Sequence, residues 1–484
     1  MPASPAQLSR RTLIGAGLSA FCLPALAEMR EGAHFAIADL VRGAPEAFGR
    51  QLRILLPNGV EANLTPVAKH FSDLTGIDVA IEPTSVRDVA TTILIAHLEG
   101  SDRFDLGLPA TYDIPDLVSA GALIPMEDIQ LPGPLTEVPA ALYSEGDSFD
   151  GKTYGYQTDG DTYLVFLNRN LMEDAVLSRG YEDRFGTPFG PPQSWAEFDR
   201  QIAFVSTSSE EAFGAILPRG ASFVEWEFWL RFLAKGVWPF SQDFRPQIAG
   251  DAGVEALEEM IALKPFLAPD TSSHLGLSGN WQQFQTLPIY MTLGWGGAQK
   301  LMNQPGRPLH NRLAHAPIPG GEGPDTPKSL PCFNWGWSYS VMARTPMPAV
   351  AKAFALFAVT SSMSTEAVRQ TNGFFDPFRA EHYDDPHIRA AYGDDFLATH
   401  RASLVNAIPD LYITDRATFF SILGNWLRLA LDGVVEPDVA LTRVAQQWDL
   451  LTDRADRTKQ SERWLRLREK FPDDVAAYLR DIPA

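Results

Sequence analysis

The side chains in this chain best suited to chemistry are aromatic rings set beside carboxylates, and they suggest non-covalent capture rather than turnover. Trp295 follows Gly294 and precedes Gly296-Gly297, so a large ring stands on flexible backbone after the apolar run Ile289–Leu293. Asp161 closes the acidic turn Thr158-Asp159-Gly160-Asp161. Tyr112 and Asp113 come just after the run ending at Pro109. Trp226 and Trp229, three residues apart in a helical pattern, share a face, with Trp226 the better candidate to line a cleft and the other ring core. Trp335 and Trp337 flank Gly336; residues two apart on a strand point the same way, and Trp335 is the preferred candidate. Phe420 lies in a late amphipathic segment. Flat rings with nearby acceptors can hold a molecule that has both apolar faces and polar rims. Each candidate also has a plainer reading as a core ring or a turn aspartate. With 29 Phe, 12 Tyr and 11 Trp in the chain, most rings must be core.

Catalytic motifs are poor. Gly336-Trp337-Ser338-Tyr339-Ser340 misses the last glycine of the G-x-S-x-G elbow. Gly320-Gly321-Glu322-Gly323 is followed by Pro324 and opens no helix, so it is not a phosphate cradle. His382 and His387 around Asp384 and Asp385 have ligand chemistry but no supporting H-x-x-x-H helix, and a solvated turn is expected there. Sixty acidic residues make paired carboxylates unavoidable, so spacing alone leaves hydrolysis by such a pair open.

The N-terminus carries Ser9-Arg10-Arg11-Thr12, an uncharged stretch to Leu26, and Ala25-Leu26-Ala27. Paired arginines, a short apolar stretch and an A-x-A site read as a Tat signal peptide over residues 1–27. Phe21 before Cys22 argues against lipidation. The net charge of −20 repels phosphate backbones and anionic lipid, so nucleic acid is not an expected partner. Loss of the signal would leave Cys332 as the only cysteine, with no intramolecular disulfide to form. The length suits two or three domains.

The elements that must position these groups alternate. Residues 28–50 read as a loose leader. Leu52–Leu56 is a strand; Thr65-Pro66 read as N-cap and N1 of a helix ending at Gly76. Ile77, Val79 and Ile81 alternate with polar neighbours, a helix follows over 86–98, and Phe104–Leu108 is the next strand. Strands alternating with helices imply a parallel sheet, with ligands outside its carboxyl edge. The periodicity turns helical over 195–235, 254–264, 350–360, 417–431 and 439–479.

Several segments in order resemble extracellular solute-binding protein family 1, the maltose- and multiple-sugar-binding components of ABC importers. They are Thr75-Gly76-Ile77-Asp78-Val79; Phe104-Asp105-Leu106 with Gly121-Ala122-Leu123-Ile124-Pro125; Asp150-Gly151-Lys152-Thr153-Tyr154-Gly155 with Asn168-Arg169-Asn170-Leu171; and Pro192–Phe198. Ile289-Tyr290-Met291 with Gly294-Trp295, and Asp376-Pro377-Phe378-Arg379 with Asp385-Pro386, complete the set. Gln157 and Leu167 depart from the family's proline and tyrosine.

The resemblance implies an α/β, two-lobed periplasmic-binding-protein fold (type II, cluster-D-like) with crossover hinge strands. Lobe 1 would be 51–160 plus 318–375 and lobe 2 would be 161–317 plus 376–484. The crossings would lie near Asp159–Tyr163 and Ala316–Pro319, and a C-terminal helical extension would pack outside one lobe. It implies a monomeric periplasmic protein, without cofactor, that closes on a sugar, oligosaccharide or polyol and delivers it to permease subunits. Trp295 and Phe420 would stack on ligand and Asp161 would bond its hydroxyls. A periplasmic carbohydrate-active enzyme and an exported sugar sensor are the rival readings.

Overall fold

A computed structural model describes residues 22–44, 49–127 and 140–482. The strands run in chain order as β1 (Leu52–Pro57), β2 (Val79–Thr84), β3 (Leu106–Gly107), β4 (Ser148–Phe149), β5 (Lys152–Thr153) and β6 (Gly155–Gln157). They continue as β7 (Thr162–Asn168), β8 (Phe213–Ile216), β9 (Ile289–Gly294) and β10 (Leu313–Pro317). The last three are β11 (Cys332–Phe333), β12 (Ser338–Val341) and β13 (Ile408–Pro409).

Two sheets build two lobes. The first has the order β2-β1-β3-β12-β6, with β1 parallel to β2 and β3 and β12 antiparallel to β3 and β6. The second has the order β13-β11-β7-β9-β8, with β10 also paired to β7. All seven residues of β7 are buried, which is why Tyr163–Leu167 read as one apolar run rather than an alternating one. Helices cover both sheets. In lobe 1 Glu61–Thr75 lies against Pro348–Ala358 and Ser361–Arg369, where Phe71 meets Phe354 edge-on at 5.1 Å.

The chain passes between lobes three times. Residues 158–161 link β6 to β7, and residues 334–337 link β11 to β12. The third passage lies over 370–385, between helices Ser361–Arg369 and Pro386–Tyr392. The second passage therefore falls later than Ala316–Pro319. Those residues leave β10, but β11 pairs with β7 and keeps the chain in lobe 2 until Phe333.

Three other expectations change. The supposed leader holds the helix Cys22–Arg42, which carries buried Ala33, Ile37 and Val41 at four-residue spacing against Pro348–Ala358. The cleavage point after Ala27 falls inside that helix, and Arg10-Arg11 lie outside the described residues. The helix expected to start at Thr65-Pro66 starts at Glu61, whose carboxylate accepts the Gly59 N–H at 2.6 Å. Pro66 sits inside it at the loss of one backbone bond, while Leu64, Val67 and Phe71 bury the inner face. The helical stretch 195–235 is two helices, Trp195–Ser208 and Val224–Leu233, with β8 between them.

The tail folds as helices Pro437–Ala455, Arg457–Arg468 and Asp473–Tyr478. It does not stay on one lobe. Arg463 pairs with Asp150 at 2.7 Å, Arg466 with Asp150 at 3.2 Å and Lys470 with Glu145 at 3.1 Å. Both acids belong to the turn region around β4 and β5, packed on lobe 1 through Phe149.

Candidate functional site

The lobes meet around one cavity of about 520 Å³, a size suited to a small ligand. Lobe 1 contributes Asn58 and Arg87, lobe 2 contributes Phe223, His274, Trp281 and Trp295. The passages supply the rest: Asp161 from the first, Trp335 and Trp337 from the second, Phe374 from the third. At the mouth the Arg87 Nη2 of lobe 1 donates to the Ala221 carbonyl of lobe 2 at 3.1 Å, with its guanidinium 5.0 Å from the Phe223 ring centre. The two lobes touch there.

Local sequence explains how the rings are held. Trp295 ends β9 and stands as N-cap of the helix Gly296–Met302, so its backbone is fixed rather than flexible as its glycine neighbours suggested. Its Nε1 donates to Asn334 Oδ1 at 2.8 Å, and its ring packs on Tyr163 at 4.7 Å. Gly336 has φ of 62°, a left-handed conformation that a side chain resists, and a Cβ there would lie 2.2 Å from the Phe333 ring. This bend lets both Trp335 and Trp337 reach the cavity, where an extended strand was expected to favour one. The Gly336 N–H also donates to Asp161 Oδ2 at 3.2 Å, tying the first passage to the second.

Of the seven residues singled out in the sequence, Asp161, Trp295 and Trp335 line the cavity. Trp226 does not. It stands behind them, 5.7 Å from Trp295 and 5.3 Å from Trp335, because its whole helix face is buried. Tyr112 meets Trp335 edge-on at 5.9 Å from outside the cavity. Phe420 packs on Trp229 at 5.3 Å. Asp113 sits in the short turn Thr111–Asp113, its pKa pushed up to about 7 by burial and held back by Arg416. Tyr112, Phe420 and Trp226 gather around that same Arg416, a residue the sequence reading passed over.

The carboxylates of the hinge form a second group. Burial, followed by the charge of Asp161, holds the Asp159 pKa well above the carboxylate range; burial, followed by Asp376, does the same to Asp161. Asp376 rises to about 6 through burial, against the pull of Lys300. The Tyr392 hydroxyl donates to Asp376 Oδ1 at 2.7 Å. Lys300, brought down to about 8 by burial, donates to the Phe375 carbonyl at 2.7 Å. Three acids thus face one ammonium in a low-dielectric site. Several polar atoms here are buried without a partner: the indole N–H of Trp335 and of Trp226, Asn334 Nδ2, and both carboxylate oxygens of Asp159. A polar group left so is costly unless something bonds to it.

The His382 turn is not solvated. His382 is buried against Phe378 with its pKa lowered to about 3 by desolvation, and the Asp385 carboxylate holds Arg369. Among the described residues no group of three or more His, Cys, Asp or Glu is placed to hold a metal ion. Nor is any described helix long and apolar enough to cross a membrane. Trp281, Phe374, Phe223 and Arg87 were missed in the sequence, and Trp337 was ranked below Trp335. Trp337 was signalled by its flanking glycine; the others lie in segments with no distinguishing pattern.

Comparison with known proteins fits this geometry. The chain is 22% identical over 474 residues to the erythritol/L-threitol-binding protein of Mycolicibacterium smegmatis, covering 90% of this chain and 95% of that one. Its fold is similar to that of an ABC transporter solute-binding protein from Agrobacterium radiobacter K84 in complex with ribitol. There the TM-score is 0.69 and the identity 17%, over 84% of this chain and 99% of the other. The GacH receptor of Streptomyces glaucescens, solved unliganded and with acarbose, gives a TM-score of 0.68 at 16% identity over 83% and 98% of the two chains. The model of the bacterial extracellular solute-binding protein family matches residues 58–363, most of both sheets and the cavity between them, and the chain belongs to that family of ABC-importer substrate-binding components.

Proposed function

We propose that this protein captures a compact sugar or polyol between its lobes and presents the closed form to membrane permease subunits, leaving the ligand chemically unchanged. The observation that carries this reading is the cavity itself, in which aromatic walls meet Asp161 at the passages between lobes. Ring faces suit C–H surfaces, while the carboxyl group suits hydroxyls. A ligand touching both lobes favours the closed form because only there are all its contacts made. Capture of polyols by the mycobacterial relative and the ribitol-bound neighbour supports the ligand class. Export by the Tat pathway, through Arg10-Arg11, and a monomeric state belong to the same proposal.

The test is a thermal-shift screen with erythritol, L-threitol, ribitol, D-mannitol and maltose. A true ligand at a hundredfold excess over Kd stabilises the native state by about 2.7 kcal/mol, and the melting temperature rises by a few degrees. Chromatography of the best ligand after prolonged incubation should return it unaltered. A new product would favour the carbohydrate-active enzyme instead. Replacing Arg10 and Arg11 by lysine should leave precursor in the cytoplasm.

A further inference from the structure

Arg416 stands between aromatic rings of the two lobes. It is the first residue of the helix Arg416–Leu431, and its side chain is 6% exposed. Its guanidinium lies 4.0 Å from the ring centre of Tyr112 in lobe 1 and 3.7 Å from that of Phe420 in lobe 2. Trp226 closes a third side at 5.6 Å. Asp410, 2% exposed, holds it from behind, accepting from Nη2 at 2.5 Å and from Nε at 3.4 Å. A planar cation between two rings from opposite lobes uses the same surfaces that a flat ligand would use. The cluster adjoins the cavity through Trp335, which lines the cavity and meets Tyr112 at 5.9 Å and Trp226 at 5.3 Å.

We infer that Arg416 is a built-in plug that fills one end of the interlobe cleft and restricts the protein to compact ligands. The inference rests on the proposed sugar or polyol capture and specifies its size limit. Without the guanidinium, the space between Tyr112 and Phe420 would join the cavity and extend the groove by a further ring-stacking position. Asp410 keeps the plug in register, since a buried arginine held by a buried carboxylate has no comparable alternative position. Arg416 is therefore a specificity-determining residue that excludes length, and it need not touch the ligand that does bind.

The test compares the wild-type protein with two opened variants, Arg416→Ala and Arg416→Ser, each combined with Asp410→Asn so that no carboxylate is left buried alone. Calorimetric titration uses ribitol, D-mannitol, maltose and maltotetraose, and unliganded melting is recorded for each protein. The expected result is that wild type binds a compact probe but not maltotetraose. An opened variant should gain at least tenfold in maltotetraose affinity, with the compact-probe affinity within about threefold of wild type. An Arg416→Met/Asp410→Asn variant, which keeps the space filled without the charge, should still exclude maltotetraose. Wild type binding maltotetraose as well as a compact probe would overturn the plug and leave the capture reading intact. A folded opened variant with no gain would do the same. Failure of both opened variants to fold would make Arg416 a structural residue and end the proposal. Binding of no probe by any protein would overturn the capture reading and the plug together.

Discussion

The Asp376 carboxylate lies so close over Gly296 that a Cβ on Gly296 would sit 2.5 Å from it. This close approach packs the start of the helix behind Trp295 against the third passage. Gly296→Ala should therefore force the carboxylate away at a cost of about 1–3 kcal/mol. The variant should melt lower without ligand, and Trp295 fluorescence should show a displaced ring. An unchanged melting temperature would mean that the carboxylate moves freely.

Trp295 is both wall and core. It lines the cavity yet packs on Tyr163, Trp226 and Trp335 at 4.7, 5.7 and 5.6 Å. Trp295→Ala should lower unliganded stability by about 3–5 kcal/mol, and binding should weaken roughly five- to 150-fold where the protein remains folded. Trp335→Phe is a gentler probe, because it keeps one aromatic ring while removing the unpartnered N–H together with the rest of the indole. Its melting temperature should fall less than that of Trp295→Ala, while ligand affinity falls by about tenfold. Full affinity in Trp335→Phe would show that this N–H does not face the ligand.

The hinge acids make stability fall as pH rises. Asp159 has its pKa raised well above the ordinary value of 3.8, so the native state holds a proton that the unfolded chain has already released. Unfolding then releases protons, and stability declines from about pH 4 upward towards the folded pKa. Asp376, at about 6, adds to the same slope between pH 4 and pH 6. Asp159→Asn replaces the buried acid by a neutral amide that has no proton to lose. It should stabilise the unliganded protein at pH 7 by about 1–3 kcal/mol and flatten the pH dependence of melting. A lower melting temperature at pH 7 would show that the ionised carboxylate is stabilised in the fold.

The tail should act as an ionic clasp between lobes. Asp150 holds Arg463 and Arg466, and its removal leaves the Arg463 guanidinium with Thr414 Oγ1 at 3.0 Å and the Phe149 ring at 4.5 Å. Because Asp150 is 36% exposed, Asp150→Ala should cost only about 0.5–1.5 kcal/mol, less at high salt. X-ray scattering of the unliganded variant should show a larger radius of gyration than wild type. Equal radii at low salt would place the clasp outside the closing motion.

The long elements were legible because periodicity acts over many residues: β1 and the late helix Arg416–Leu431 lie where the apolar pattern put them, the helix within one residue. Two-residue strands have no period to read. β11 and β13 are each two residues long, and with β11 unseen the second passage was set too early. Asp161, Trp295 and Trp335 stood out by their glycine or turn neighbours. Trp226 and Phe420 shared that aromatic prominence but face inward, since the helices that carry them are packed on several sides. Arg416 escaped notice because the apolar pattern of its helix begins one residue later, and the ring sandwich that holds it joins residues more than 300 positions apart in sequence. Lys300 and Asp376 likewise meet only through the fold.

All three interlobe passages carry cavity residues: Asp161, the pair Trp335 and Trp337, and Phe374. The swivel and the receptor are thus made of the same side chains. A substitution behind a passage can change the fraction of molecules already closed before any solute arrives, and apparent affinity scales with that fraction. Tenfold tuning of retention is therefore available without altering a single contact to the cargo. Selection for scavenging dilute or abundant solute could act on the pivot and leave the recognition surface unchanged.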